Sequence, residues 1–252
     1  MDLTFKFPGI EYSVDSIMMF ENNSWLDSIF HLYPQIDKAK FDALLTDEKR
    51  AYLQEVFEEL YENGGAKEEI AEKLPKYNAY WKSHKNQIEA AFSDAFDIDV
   101  SGILNDMVCN VTFSPINPRF LSANTFEVTY LNSERGVLGV SLHEIVHFVW
   151  FYAWQKHFKD DEAQYETPHL KWIFSEMVVD AVMRNDARLA EINPYYQNGL
   201  GVYEYFYKMT IDGKPILDTL HEMYSTMKIT DFMEHGYAYC KKYEIEIRAQ
   251  ME

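Results

Sequence analysis

The stretch Val140-Ser141-Leu142-His143-Glu144-Ile145-Val146-His147-Phe148-Val149-Trp150 decides how this chain is read. It sets a His-Glu-x-x-His pattern inside an otherwise apolar run. Residues four apart share one face of a helix, so His143 and His147 can reach a single metal ion. Two neutral imidazole nitrogens suit Zn2+, above all when a carboxylate joins them. Glu144 stands beside the first histidine, where it can act as general base toward a water at that ion. With 8 His and 24 Glu in 252 residues, the pattern arises by chance about 0.02 times in such a chain, so coincidence carries modest weight. Three ionisable groups inside a buried helix are costly unless they are paired or metal-bound. The competing reading is a satisfied pair of core histidines with a surface glutamate.

Downstream, a second apolar segment runs from about His169 to Ala190. Between Trp172 and Met183 its only charges are Glu176 and Asp180, again four apart. A buried acidic pair needs a cation or a proton donor. Glu176 as third metal ligand would meet that need. Asp180 would hold a ligating imidazole by its other ring nitrogen and fix its tautomer. An acidic stripe facing solvent is the alternative, but the apolar flanks leave little room for one.

Working outward, helical spacing predicts helices over Ser24–Tyr33, Lys38–Leu45, Asp47–Tyr61 and Glu68–Phe96, the last broken or kinked at Pro75. Met107–Phe113 and Phe126–Leu131 are rich in β-branched and aromatic residues and read as strands. Leu138–His157 reads as a buried helix. Ile216–Met227 and Thr230–Arg248 close the chain as helices after a turn at Asp212-Gly213. No repeat or long linker is present. The expected fold is α+β and mostly helical, with a small mixed or antiparallel β-sheet packed on the motif helix. Residues 1–100 would form an N-terminal helical region packed on a core spanning 101–252.

Composition bounds the function. The chain has 41 acidic and 23 basic residues, a formal charge of −18. That charge opposes nucleic acid and anionic membranes as partners. A hydrophobic share of 47% is enough for a sizeable core, which excludes a disordered acidic tail. Two cysteines, Cys109 and Cys240, cannot staple a secreted scaffold. Met1–Ile10 lacks a signal pattern, and the longest apolar run, Ile145–Trp154, falls short of a bilayer span. A cytoplasmic protein is therefore expected.

The His-Glu-x-x-His motif followed by Glu176-x-x-x-Asp180 resembles the gluzincin group of zinc metallopeptidases, in its thermolysin-like branch. The resemblance covers about Thr125 to Asp180. It implies a zincin-like core, Zn2+ held by His143, His147 and Glu176, catalysis by Glu144, and a peptide or protein substrate. Glu176 follows His147 by 29 residues, a longer spacing than the compact arrangement of that branch, and the polar loop 159–167 can absorb the excess. In gluzincins the strand before the motif helix is an edge to which a peptide adds, which here implies substrate binding along Phe126, Val128 and Tyr130. An oxyanion donor is also implied. His235, four residues after Asp231, is one candidate, and Tyr203, Tyr205, Tyr237 and His221 are others. The metzincin pattern fails at Trp150 and Ala153, where Gly and His are required. No segment resembles the amine-binding motif of one aminopeptidase branch, which favours an endopeptidase. Two other functions stay open: a zinc-bearing, non-catalytic binding or regulatory protein, and a helical interaction protein with an accidental motif.

Overall fold

The computed structural model describes residues 1–197 and 201–251. The fold is α+β, mostly helical, with a small mixed sheet, as the sequence predicts. The chain divides into two compact units. A sheet unit comprises Asp2–Lys82 and Asp106–Val137, and a helical unit comprises Met1, Ser83–Asn105 and Leu138–Glu252.

The sheet unit holds β1 (Leu3–Lys6), α1 (Ile10–Met18), α2 (Asp27–Leu32), α3 (Lys38–Ala43), α4 (Thr46–Glu62), the start of α5 (Ala66–Phe96), β2 (Met107–Thr112), β3 (Arg119–Phe120) and β4 (Thr125–Thr129). Its strand order is β1-β2-β4-β3. β1 and β4 flank β2 in parallel, and β3 joins β4 antiparallel. β1 alternates buried Leu3 and Phe5 with exposed Thr4 and Lys6, the mark of a strand with one face on the core. Its four residues are too few for periodicity to reveal. Because β1 pairs with β2 about a hundred residues later, the beginning of the chain belongs to the same sheet as residues 107–129. The two compact units therefore cut the chain differently from a division at residue 100. The break expected at Pro75 does not occur, and α5 runs through it. Pro75 sits on an exposed face, where water can take the carbonyl that its missing N–H leaves unmatched.

One acid in this unit is fully buried. Glu127 on β4 stands in register with Asn110 on β2. The Ser16 hydroxyl on α1 donates to its Oε2 at 2.6 Å, and the Thr112 hydroxyl lies at 3.4 Å. Burial pushes its pKa from 4.5 up to about 7, although these hydroxyls and Tyr12 pull the other way. The folded state thus binds a proton that the unfolded chain has released. The stabilisation is complete below the unfolded value near 4.5 and is lost as pH rises through about 7, on the order of 3 kcal/mol in all. Urea unfolding of the wild type and of Glu127→Gln should show it. The wild type is expected to lose stability between about pH 5 and about pH 8 relative to the variant, which has no such proton to lose. Parallel pH profiles would contradict this.

The helical unit takes the end of α5 and then α6 (Glu134–Phe158), of which Leu138 onward belongs here. Next come α7 (Leu170–Asn185), α8 (Ala187–Ile192), α9 (Pro194–Gln197), α10 (Glu204–Lys208), the hairpin β5 (Thr210–Ile211) and β6 (Lys214–Pro215), α11 (Ile216–Thr226), α12 (Ile229–Lys242) and α13 (Glu244–Ala249). Every residue of α7 from Leu170 to Met183 is buried, so its sequence shows no polar stripe. Phe174 of α7 meets Trp150 of α6 edge-on at 5.3 Å and Phe232 of α12 at 5.6 Å. Rings buried this fully stabilise the unit by about 2–3 kcal/mol each. Gly236 lets α12 come this close, because a Cβ there would lie 2.7 Å from Phe174 Cζ.

α7 stops at Asn185 rather than continuing to Ala190, because the Asp186 side chain accepts the Arg188 N–H and starts α8. The final predicted helix divides at Tyr243. The turn expected at Asp212-Gly213 closes the hairpin, with φ of 52° and 77° at the two residues. Among the described residues α6 is the one helix long and apolar enough to cross a membrane by length and composition. Its most apolar window is 83% buried within the protein, as in a core helix.

Candidate metal centre

The α6 register carries out the first expectation. His143 and His147 stand one turn apart, and their Nε2 atoms lie 3.2 Å from each other. Glu176 arrives from the buried α7. Its Oε2 lies 3.4 Å from His143 Nε2, and its Oε1 lies 3.4 Å from His147 Nε2. Among the described residues this is the one group of three or more His, Cys, Asp or Glu side chains that could hold a metal ion. Donors about 2.05 Å from a tetrahedral ion stand about 3.3 Å apart, which is close to each of these separations, with the two Glu176 distances made by different oxygens of the one carboxylate.

The side chain of His147 is fully buried and that of Glu176 is 2% exposed, whereas His143 keeps 21% of its side chain open to solvent. The cluster is thus closed at His147 and Glu176 and accessible at His143. Burial works to lower the His143 pKa. The carboxylates of Glu176 and Glu144 and the Gly201 carbonyl outweigh it and hold the imidazole above its ordinary range. The first-named carboxylate is the one within ligand distance. Glu144 itself is buried at 5% exposure on the same helix.

His143 Nδ1 lies 2.9 Å from the Gly201 carbonyl oxygen. A carbonyl has no proton to give, so Nδ1 carries the hydrogen and donates it. The neutral ring then presents the lone pair of Nε2 toward His147 and Glu176. This is the orienting contact expected of Asp180, and that expectation is corrected. Asp180 is directed along α7 to Arg184, at 2.8 Å and four residues on, and Arg184 also pairs with Asp218 at 2.5 Å. Burial raises the Asp180 pKa to about 6 against the pull of Arg184. The acid therefore finds its cation on its own helix, four residues on.

The remaining predicted residues are each placed within their own unit. His235 is exposed on α12, beside Gly236, which faces Phe174. Tyr237 packs on Trp154 and Phe174. Tyr205 is the phenol that feels Glu176: burial first, and then that carboxylate, push its pKa well up. Its ring stacks on Tyr203 at 5.3 Å, and Tyr203 meets Trp172, one turn before Glu176. Phe126, Val128 and Tyr130 are buried residues of the sheet unit. The edge of β4 expected to take a peptide along Phe126, Val128 and Tyr130 is already covered at its first residues, where β3 pairs with Thr125 and Phe126 and Glu127 N–H donates to the Pro118 carbonyl at 3.0 Å.

Gly201 is the contributor that sequence reasoning missed. A backbone carbonyl acceptor leaves no residue-type signal. The Tyr195–Tyr207 concentration of aromatics was the nearest hint that this segment bears on the site. Comparison with family models, with curated proteins and with solved structures finds no match to this chain.

Proposed function

We propose that the protein is a zinc-dependent peptidase with a gluzincin-type centre in a zincin-like core. The observation that carries this reading is the convergence of His143 Nε2, His147 Nε2 and the Glu176 carboxylate, one oxygen of which lies 3.4 Å from each imidazole, with buried Glu144 next to the first of them. Two imidazole nitrogens and one carboxylate oxygen suit Zn2+ better than Mg2+ or Ca2+, which favour oxygen donors throughout. Three protein ligands leave a fourth position for chemistry. When bound, zinc supplies Lewis acidity, polarising a carbonyl and making water acidic near neutral pH.

The chain's own groups account for the proton transfers. Glu144 takes a proton from the attacking water and passes it to the leaving amine. Gly201 holds His143 in the tautomer whose Nε2 is a ligand. Tyr205 is the donor to the oxyanion that we favour over exposed His235, because burial keeps its phenol protonated and its ring stacks on Tyr203, which meets Trp172 one turn before Glu176. A peptide or protein is the substrate, and the charge of −18 disfavours nucleic acid.

Incubating the zinc-loaded protein with a mixture of unfolded proteins and unblocked peptides tests this. Cleavage is expected, with loss on adding a zinc chelator and return on restoring Zn2+. Cleavage indifferent to the chelator would sink the mechanism. A protein that holds zinc but cleaves nothing in the mixture would favour the non-catalytic, zinc-bearing alternative.

A further inference from the structure

Asn193 and Gly201 dock on the motif helix at two successive turns. Asn193 is buried at 1% exposure. Its side-chain Nδ2 donates to the Gly139 carbonyl at 3.4 Å, and its Oδ1 accepts the N–H groups of Tyr195 and Tyr196 at 3.0 and 3.2 Å. Gly139 lies one helical turn before His143. Gly201 meets the next turn, through its carbonyl and His143 Nδ1.

Tyr196 links the two contacts. A Cβ at position 201 would lie 3.1 Å from both Tyr196 Cα and Cδ2. The Cα is backbone and cannot swing away, so glycine is what permits this approach. The Tyr196 phenol in turn faces Arg184, the residue that Asp180 and Asp218 hold by ion pairs.

We infer that Gly201, held in place by Asn193, Tyr196 and the Asp180–Arg184 pair, is the positioning residue for the metal ligand His143. Asp180 thus bears on the centre through Arg184 and Tyr196 instead of touching an imidazole. The difference is chemical. A carboxylate partner raises the basicity of a ligating imidazole and adds negative charge behind the ion. A carbonyl fixes the same tautomer and adds no net charge. With Glu144 and Glu176 already present, a neutral partner leaves the ion more electrophilic. This inference rests on the metal-centre reading, but one of its readouts needs no metal.

Gly201→Ala and Asn193→Ala are the direct variants, with Arg184→Met against Arg184→Lys as a milder pair. Long-range proton–nitrogen NMR on the metal-free protein, at a pH high enough to leave the His143 ring neutral, reports its tautomer. The wild type is expected to show a single Nδ1–H form, and Gly201→Ala and Asn193→Ala a mixture. Affinity for Co2+ or Zn2+, measured by competition with a chelator, is expected to fall about 10–100-fold in both variants and in Arg184→Met, with recovery in Arg184→Lys. The cobalt visible spectrum should change alongside. Variants that lose thermal stability yet keep the single tautomer and wild-type affinity would overturn the inference, since that is the mark of a merely structural role. If the wild type binds neither metal, the zinc reading fails, and the tautomer result alone then decides this one: a mixture in Gly201→Ala upholds the positioning role and an unchanged single form overturns it.

Discussion

Glu144→Gln is expected to lower peptide hydrolysis by about 10²–10⁴-fold, the range for a lost general base, while zinc content stays unchanged. Glutamine keeps the shape and the buried position of the side chain on α6. It cannot take a proton from water. The Nε2 atoms of His143 and His147 and the Glu176 carboxylate are untouched by the change, so their spacing of 3.2–3.4 Å, and with it the affinity for the ion, should persist. Parallel measurement of zinc content and cleavage rate separates the two roles. Unchanged cleavage would remove Glu144 from the mechanism. Loss of zinc together with activity would mean that Glu144 supports the ligand set rather than the proton transfer.

Glu176→Ala should have the largest effect on binding. Its two oxygens face the two imidazoles, one each, so its loss takes away the only negatively charged ligand of the set. A zinc ion that binds the folded chain and not the unfolded one would add about 4 kcal/mol to stability at free zinc about a thousand times Kd. The wild type should therefore melt higher with zinc than with chelator, and Glu176→Ala should melt the same in both. Because Ala also leaves a cavity in the fully buried α7, Glu176→Gln is the useful companion, keeping volume while removing charge. A zinc-dependent rise in melting temperature in both variants, equal to that of the wild type, would take Glu176 out of the centre.

The parts of this protein that were legible in its sequence are those where burial is one-sided in composition. α6 and α7 are apolar on nearly every face, so their few charges stood out, and His143, Glu144, His147 and Glu176 could be named before any coordinates. Asp180 was misassigned although the signal was present: Arg184 follows it by four residues, the spacing at which a helix brings opposite charges together. Tyr205 stood behind His235 among the candidates, because its stacking on Tyr203, which meets Trp172, is set by tertiary packing that local sequence does not show. Gly201 was invisible, since its role is played by a main-chain oxygen. β1 and β3 were missed for another reason: strands of four and two residues are set by pairing with β2 and β4, not by local preference.

The central claim, that His143, His147 and Glu176 form a zinc centre, is tested most directly by elemental analysis of protein purified without chelators. The account predicts close to one zinc per chain in the wild type and almost none in Glu176→Ala. Less than about 0.1 zinc per chain in a wild-type protein that also fails to take up added Zn2+ would contradict it.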